Sequence, residues 1–230
     1  MFSNIIAGSS ALLALSSMAM AAPQNKPTPQ PDLTTQLQLA PSAADRFALL
    51  PDDKDFVFEF GKKGALADRK TFPALVGTGS ALATAELGAC GLAAAHVHPR
   101  SAELFVVLKG RILTEMVPES AVRNPDGSQR VVKTELGPNM MTVFPQGSFH
   151  TQINPDCDPA VAVASFASED PGAGLIVPQT FAMSNQFING NFGQNFSGED
   201  IDSFREHIPQ GAITVIEECL KKCNIKKRSV

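Results

Sequence analysis

The stretch GLAAAHVHPRSAELFVVLKG, residues 91–110, sets two histidines one residue apart and a glutamate five residues after the second. The chain has only four histidines, so two of them at His96 and His98 is a concentrated pattern. In an extended strand residues i and i+2 point to the same side, so both imidazoles project together while Val97 faces away. Pro99 stops that strand, and Glu103 opens the next apolar run, so a hairpin brings its carboxylate back beside the two rings. A third histidine, His150, follows the Pro145-Gln146-Gly147 turn in FPQGSFHTQIN, near the start of another strand. Three imidazoles and one carboxylate are a donor set for a divalent cation that leaves coordination positions open. Donor chemistry alone admits Zn, Fe, Ni or Cu.

Working outward, short apolar or alternating runs recur past residue 50: FVFEF (56–60), ALATAEL (81–87), LAAAHVH (92–98), ELFVVLKG (103–110), ILTEMV (112–117), RVVKTEL (130–136), MMTVF (140–144), FHTQI (149–153) and AVAVASF (160–166). Turn signals such as GACG, NPDGS, PQGS and NPDCDP separate them. Many short strands at this spacing predict an all-β sandwich or barrel, because each exposes an apolar face that only another sheet covers. The end of the chain changes character. SGEDIDSFREHI (197–208) carries a capping box, Ser197 with Asp200, and GAITVIEECLKKC (211–223) sets Ile213, Ile216 and Leu220 at helical spacing. Two short helices are therefore expected to close the chain, packed on the barrel or on a neighbouring subunit.

A chain of 230 residues is long enough for one sizeable core. With 43% hydrophobic and 18% charged residues and a net charge of −4, a soluble globular body is expected and a nucleic-acid partner is disfavoured. The basic tail KKCNIKKRSV reads as a solvated terminus. The first 21 residues form an apolar run ending in Ala19-Met20-Ala21, the small-x-small pattern of a secretory signal peptide. Serines interrupt it and it is too short for a membrane span. Residues 22–39, including QNKPTPQPD, read as a proline-rich linker or N-terminal arm. Residues 40–190 are assigned to the barrel and 191–230 to a helical extension, giving a secreted, extracellular protein without a membrane span.

The two histidine segments also carry a family resemblance. Residues 91–110 resemble the first cupin motif, and GPNMMTVFPQGSFHTQIN, residues 137–154, resembles the second; SFASEDPGAGLIVP and the terminal helices are similar to germins and spherulin-like secreted cupins. The resemblance covers about residues 40–222. It implies a double-stranded β-helix, the cupin jelly roll, with C-terminal helices, and Mn(II) held by His96, His98, Glu103 and His150. Germins that oxidise oxalate place asparagines in the cavity where Ala83 and Ala93 stand here, so two hydrogen bonds to a dianion are missing, each worth ~1.5–3 kcal/mol. Gln152 matches a germin cavity residue and is the candidate catalytic group. An otherwise apolar cavity, with Ala83, Ala93, Ala94, Ala95, Phe105 and Phe144, suits a small anion or molecule. The resemblance implies an oxidoreductase: superoxide dismutation, or oxidation or decarboxylation of a small carboxylate. The alternative is a metal-binding structural or storage protein of spherulin type without turnover. A sugar-binding cupin would need further polar cavity residues, which the sequence does not display. Association into a homo-oligomer through the terminal helices is also implied.

Four cysteines fit an oxidising compartment. Cys90 lies in the turn before the first histidine strand and Cys157 in the turn after the His150 strand. In a jelly roll both turns fall at one end, so a Cys90–Cys157 bridge is expected. Cys219 and Cys223 are left to pair locally, to pair between chains, or to stay free. Asn195-Phe196-Ser197 is a glycosylation sequon, and His207 reads as a solvated helix residue. For the presence of 15 phenylalanines without tyrosine or tryptophan there is no physical account.

Overall fold

A computed structural model describes residues 30–226; the expected signal peptide lies outside the described residues. From Asp32 to the end of the described residues the chain forms one compact unit. It opens with helices α1 (Leu33–Leu39) and α2 (Ala43–Ala48). The Asp32 and Ser42 side chains accept the free amides of Thr35 and Asp45, which is why each helix starts where it does. Helix α1 thus occupies the end of the segment read as a linker, because the proline-rich run stops at Pro31. The segment FVFEF, expected as a strand, is not one. The Asp52–Asp55 capping box winds Asp53–Phe56 into a 3-10 turn, and Phe58 packs on Phe60 and Phe72 rather than joining a sheet.

The strands are β1 (Leu66–Ala67), β2 (Ala81–Leu87), β3 (Gly91–Val97), β4 (Glu103–Lys109), β5 (Ile112–Val117), β6 (Val132–Leu136), β7 (Met141–Phe144), β8 (Phe149–Ile153) and β9 (Ala160–Phe166). After them come β10 (Gly174–Leu175), α3 (Ile176–Phe181), α4 (Asn185–Asn191), α5 (Gly198–His207), β11 (Ile213–Val215) and α6 (Glu217–Lys222). One sheet has the order β1-β2-β9-β4-β7 and the other β10-β3-β8-β5-β6, with β11 also paired to β3. All pairings are antiparallel, and the two sheets close on a shared core as a jelly roll. Strand β9 shows the logic best: Ala160, Ala162, Ala164 and Phe166 are buried, while Val161, Val163 and Ser165 are half-exposed. Its alternation, central between β2 and β4, turns every second side chain into the barrel.

The end of the chain differs from the sequence reading in two ways. Helical structure starts at Ile176, ahead of residue 191, and GAITVIEECLKKC is a strand followed by a helix. Ile213, Thr214 and Val215 are β-branched, and the free edge of β3 offers partners: Ile213 pairs with Ala93, Thr214 with Leu92 and Val215 with Gly91. This added strand carries α6 to the end of the barrel where the GACG and NPDCDP turns meet. Those turns do lie together, with the Cys90 amide donating to the Asp156 carbonyl. The Cys90–Cys157 bridge is nevertheless not formed. Cys219 and Cys223 share one face of α6 at i, i+4, and each reaches one turn, giving Cys90–Cys219 and Cys157–Cys223.

Candidate metal centre

The four side chains expected to meet do so. The donor atoms of His96, His98, Glu103 and His150 all lie within 4.8 Å of one another. Both sheets contribute: His96 and His150 face each other across the β3–β8 pairing, and Glu103 opens β4 opposite Phe144 and Phe166. His98 stands one residue past the end of β3, so the backbone leaving the strand aims its ring.

A bulge sets the register. Ala93 pairs with Gln152 and His96 with His150, so β3 spends three residues where β8 spends two. Without the extra residue the period of two would send either Ala93 or His96 outward. The bulge carbonyl is put to use, because Ala94 O lies 2.8 Å from His96 Nδ1. The other rings are held alike. His98 Nδ1 is 2.6 Å from the Gly172 carbonyl and His150 Nδ1 is 3.0 Å from the Ser148 carbonyl. A carbonyl oxygen only accepts, so each Nδ1 carries the hydrogen and each Nε2 is left to face the centre. Phe144 stacks on His150 with centroids 4.1 Å apart, and Phe166 meets His98 edge-on, fixing the planes of both rings.

This geometry calls for a cation. His98 Nε2 and His150 Nε2 lie 2.9 and 3.1 Å from Glu103 Oε2. With the hydrogens on Nδ1, nitrogen lone pairs would face a carboxylate lone pair unless protons or a metal ion stand between them. Burial alone would push the Glu103 carboxyl up, but hydrogen bonds from His150 and His98 and their charge hold it down to about 2. Burial opposes charge on His98 too, yet the Glu103 hydrogen bond, the Gly172 carbonyl and the charge of Glu103 raise it above its ordinary value. His96 has no such partner at hydrogen-bond distance. Burial, then the neighbouring His150, draws it down to about 4. The residues therefore fit a divalent metal: three oriented imidazole nitrogens and an ionised carboxylate, with protons to displace.

Among the other expected residues, Gln152 is buried on β8 between Ala93 and Thr114. Ala83 and Ala93 pack against the barrel core, and Phe105 lies within it. The sequence reading missed polar groups on this row. Thr114 is buried next to Gln152, and its hydroxyl is 2.7 Å from that of Thr134 on β6. The signal was present in ILTEMV, whose period of two turns Thr114 inward with Ile112 and Met116. His207 is exposed, with Nδ1 against the Ser203 carbonyl, outside the centre. An apolar concavity of about 200 Å³ lies among the N-terminal elements, lined by Leu37, Phe47, Leu50 and Phe56. It contains none of the four ligands and, apart from Arg46, no ionisable group.

Residues 51–196 match the Cupin family. The chain is 31% identical over 204 residues to spherulin-1A of Physarum polycephalum, covering 84% of this chain and 79% of that protein. The chain is a germin- and spherulin-like cupin. To germin-like protein 8-2 of Oryza sativa subsp. japonica this cupin is 34% identical over 143 residues, 61% of the chain and 62% of the relative. In fold it is similar to an oxalate oxidase solved in complex with glycolate, with a TM-score of 0.58 at 18% identity over 68% of this cupin and 82% of the oxidase. It is also similar to Bacillus subtilis oxalate decarboxylase, solved for its Mn(II) centres, with a TM-score of 0.53 at 14% identity over 66% of this chain and 36% of that one. Among the described residues no helix is long and apolar enough to cross a membrane.

Proposed function

We propose that this cupin is a secreted Mn(II)-dependent oxidoreductase acting on a small species: superoxide, or a small carboxylate that it oxidises or decarboxylates. The observation that carries the reading is the set of three Nδ1-anchored histidines around one ionised glutamate. Bound there, the metal would supply charge to attract an anion and a centre able to exchange single electrons. The chain's own residues do the rest. The three carbonyls hold the rings in register, Glu103 supplies the one anionic donor, and the barrel wall keeps bulk water away. Gln152, on the same inward row of β8 as His150, is the proposed group that hydrogen-bonds the substrate. Alanine at 83 and 93 argues against oxalate, since neither side chain can donate to the dianion. Manganese is preferred over Zn, Fe, Ni or Cu because the oxalate decarboxylase of the same fold is described with Mn(II) centres. Two disulfides support an extracellular location. The exposed Phe187 and Phe204 on the terminal helices suit a homo-oligomeric contact.

A second reading, a metal-binding storage or structural protein without turnover, is favoured by the long match to spherulin-1A. Metal-loaded protein assayed with superoxide and a panel of small carboxylates separates the two. Turnover abolished in His98→Ala supports the enzyme, and bound metal with no turnover on any of them supports storage.

A further inference from the structure

We propose that the four cysteines form a thiol–disulfide relay, in which an external thiol opens the exposed bridge and the released sulfur then opens the buried one. The two bridges are in contact: Cys223 Sγ, bonded to Cys157, lies 3.7 Å from Cys90 Sγ, bonded to Cys219. They differ in access. Cys157 is exposed in its turn, whereas Cys90 is fully buried. Their surroundings differ as well. Cys157 sits between Asp156 and Asp158, and Cys223 directly follows Lys221 and Lys222 at the C-terminal end of α6. A thiol that reaches the exposed Cys157 sulfur displaces Cys223, the sulfur already in contact with the second bridge.

The steps balance without a further redox partner. A small thiol, as its thiolate, bonds to Cys157 Sγ; the Cys157–Cys223 bond breaks and its electron pair leaves on Cys223. The Cys223 thiolate then bonds to Cys90 Sγ; the Cys90–Cys219 bond breaks and the pair leaves on Cys219, which takes a proton from water. A partner for the resulting thiol is at hand, because Cys219 Sγ is 3.5 Å from the Pro155 carbonyl. The outcome is one Cys90–Cys223 bridge, one mixed disulfide at Cys157 and one thiol. The attachment of α6 moves by four residues, one helical turn. Strand β11, joined to α6, pairs with β3 just before His96, and the Ile216 amide donates to the Cys90 carbonyl, so the relay acts on the anchorage of the strand that bears a metal ligand. The inference does not depend on which metal or substrate the centre takes.

The test uses the intact protein. Treatment with one equivalent of 2-mercaptoethanol, alkylation at set times and peptide mapping should show Cys90 linked to Cys223, with Cys219 alkylated, in most singly opened molecules. Retention of Cys90–Cys219 with Cys223 alkylated would overturn the relay. In Cys157→Ser, where Cys223 is left without its partner, both Cys90–Cys219 and Cys90–Cys223 isomers should be found without added thiol. Finding Cys90–Cys219 alone in that variant would contradict the proposal equally.

Discussion

The two ends of the barrel solve opposite problems with the same strands. At one end β3, β4 and β8 gather three histidines and a glutamate into a buried cluster, where desolvation opposes their charged forms and a cation would join all four. At the other, the turns before β3 and after β8 are closed by groups that satisfy each other. Buried Asn154 donates to the carbonyls of Leu87, Gly88 and Asp158 and accepts the Asp156 amide, Arg111 clasps Asp156 in two hydrogen bonds, and two disulfides tie in α6. Cys90 holds a left-handed backbone, φ 58°, which costs ~1–2 kcal/mol for a residue with a Cβ and persists because the bridge and the Asp156 contact fix it. One end is complete without a ligand and serves the fold; the other presents a donor set that a cation would complete.

Breaking each end should therefore give different signatures. The largest effect is expected from Glu103→Ala, which removes the one anionic donor: metal affinity should fall by roughly 100-fold or more while the barrel stays folded, as read by metal titration alongside circular dichroism. Asn154→Ala should do the reverse. Leaving buried carbonyls unpaired should lower unfolding free energy by about 1–3 kcal/mol in a denaturant titration, with metal affinity little changed if the protein is compared well below its transition. A variant in which both properties fall together would dissolve the contrast between the ends.

Acidity sharpens it further. His96, held down to about 4 from an ordinary 6.5, stays neutral in the fold while the unfolded chain takes a proton. The metal-free protein should lose stability from this group as pH falls from 6.5 to 4. The stabilisation from Glu103, held down to about 2 from 4.5, is present above its ordinary value and lost as pH falls toward 2. His98 has the opposite sign. Its raised value contributes stability below its ordinary 6.5 that fades as pH rises through the folded value. In His96→Gln, the loss between 6.5 and 4 should shrink, which thermal melts of metal-free protein across pH would register.

Much of the metal end was legible because its signal is local. HxH, the glutamate five residues on and the turn before His150 are short-range patterns, and alternation in AVAVASF and ILTEMV fixes which residues face inward. The other end was not legible for a long-range reason. Which turn Cys90 joins depends on where α6 lands, and that depends on β11 finding the edge of β3, more than a hundred residues away in sequence. Ile213, Ile216 and Leu220 fit a helical period, but the β-branched run Ile213-Thr214-Val215 beside an open edge overrides it. The bulge at Ala94–Ala95 was hidden likewise, since an extra residue in β3 shows only against its partner β8. FVFEF failed as a strand because apolar content says nothing about whether a partner strand is within reach.

The central claim is that His96, His98, Glu103 and His150 together hold one cation. Equilibrium dialysis of metal-stripped protein against Mn(II), with the bound ion counted by elemental analysis and seen by electron paramagnetic resonance, tests it directly. The expected result is one tightly held ion per chain with nitrogen donors in its shell, lost in Glu103→Ala. An intact barrel that takes up neither Mn(II) nor any of Zn, Fe, Ni and Cu, or an ion whose binding survives that substitution unchanged, would contradict it.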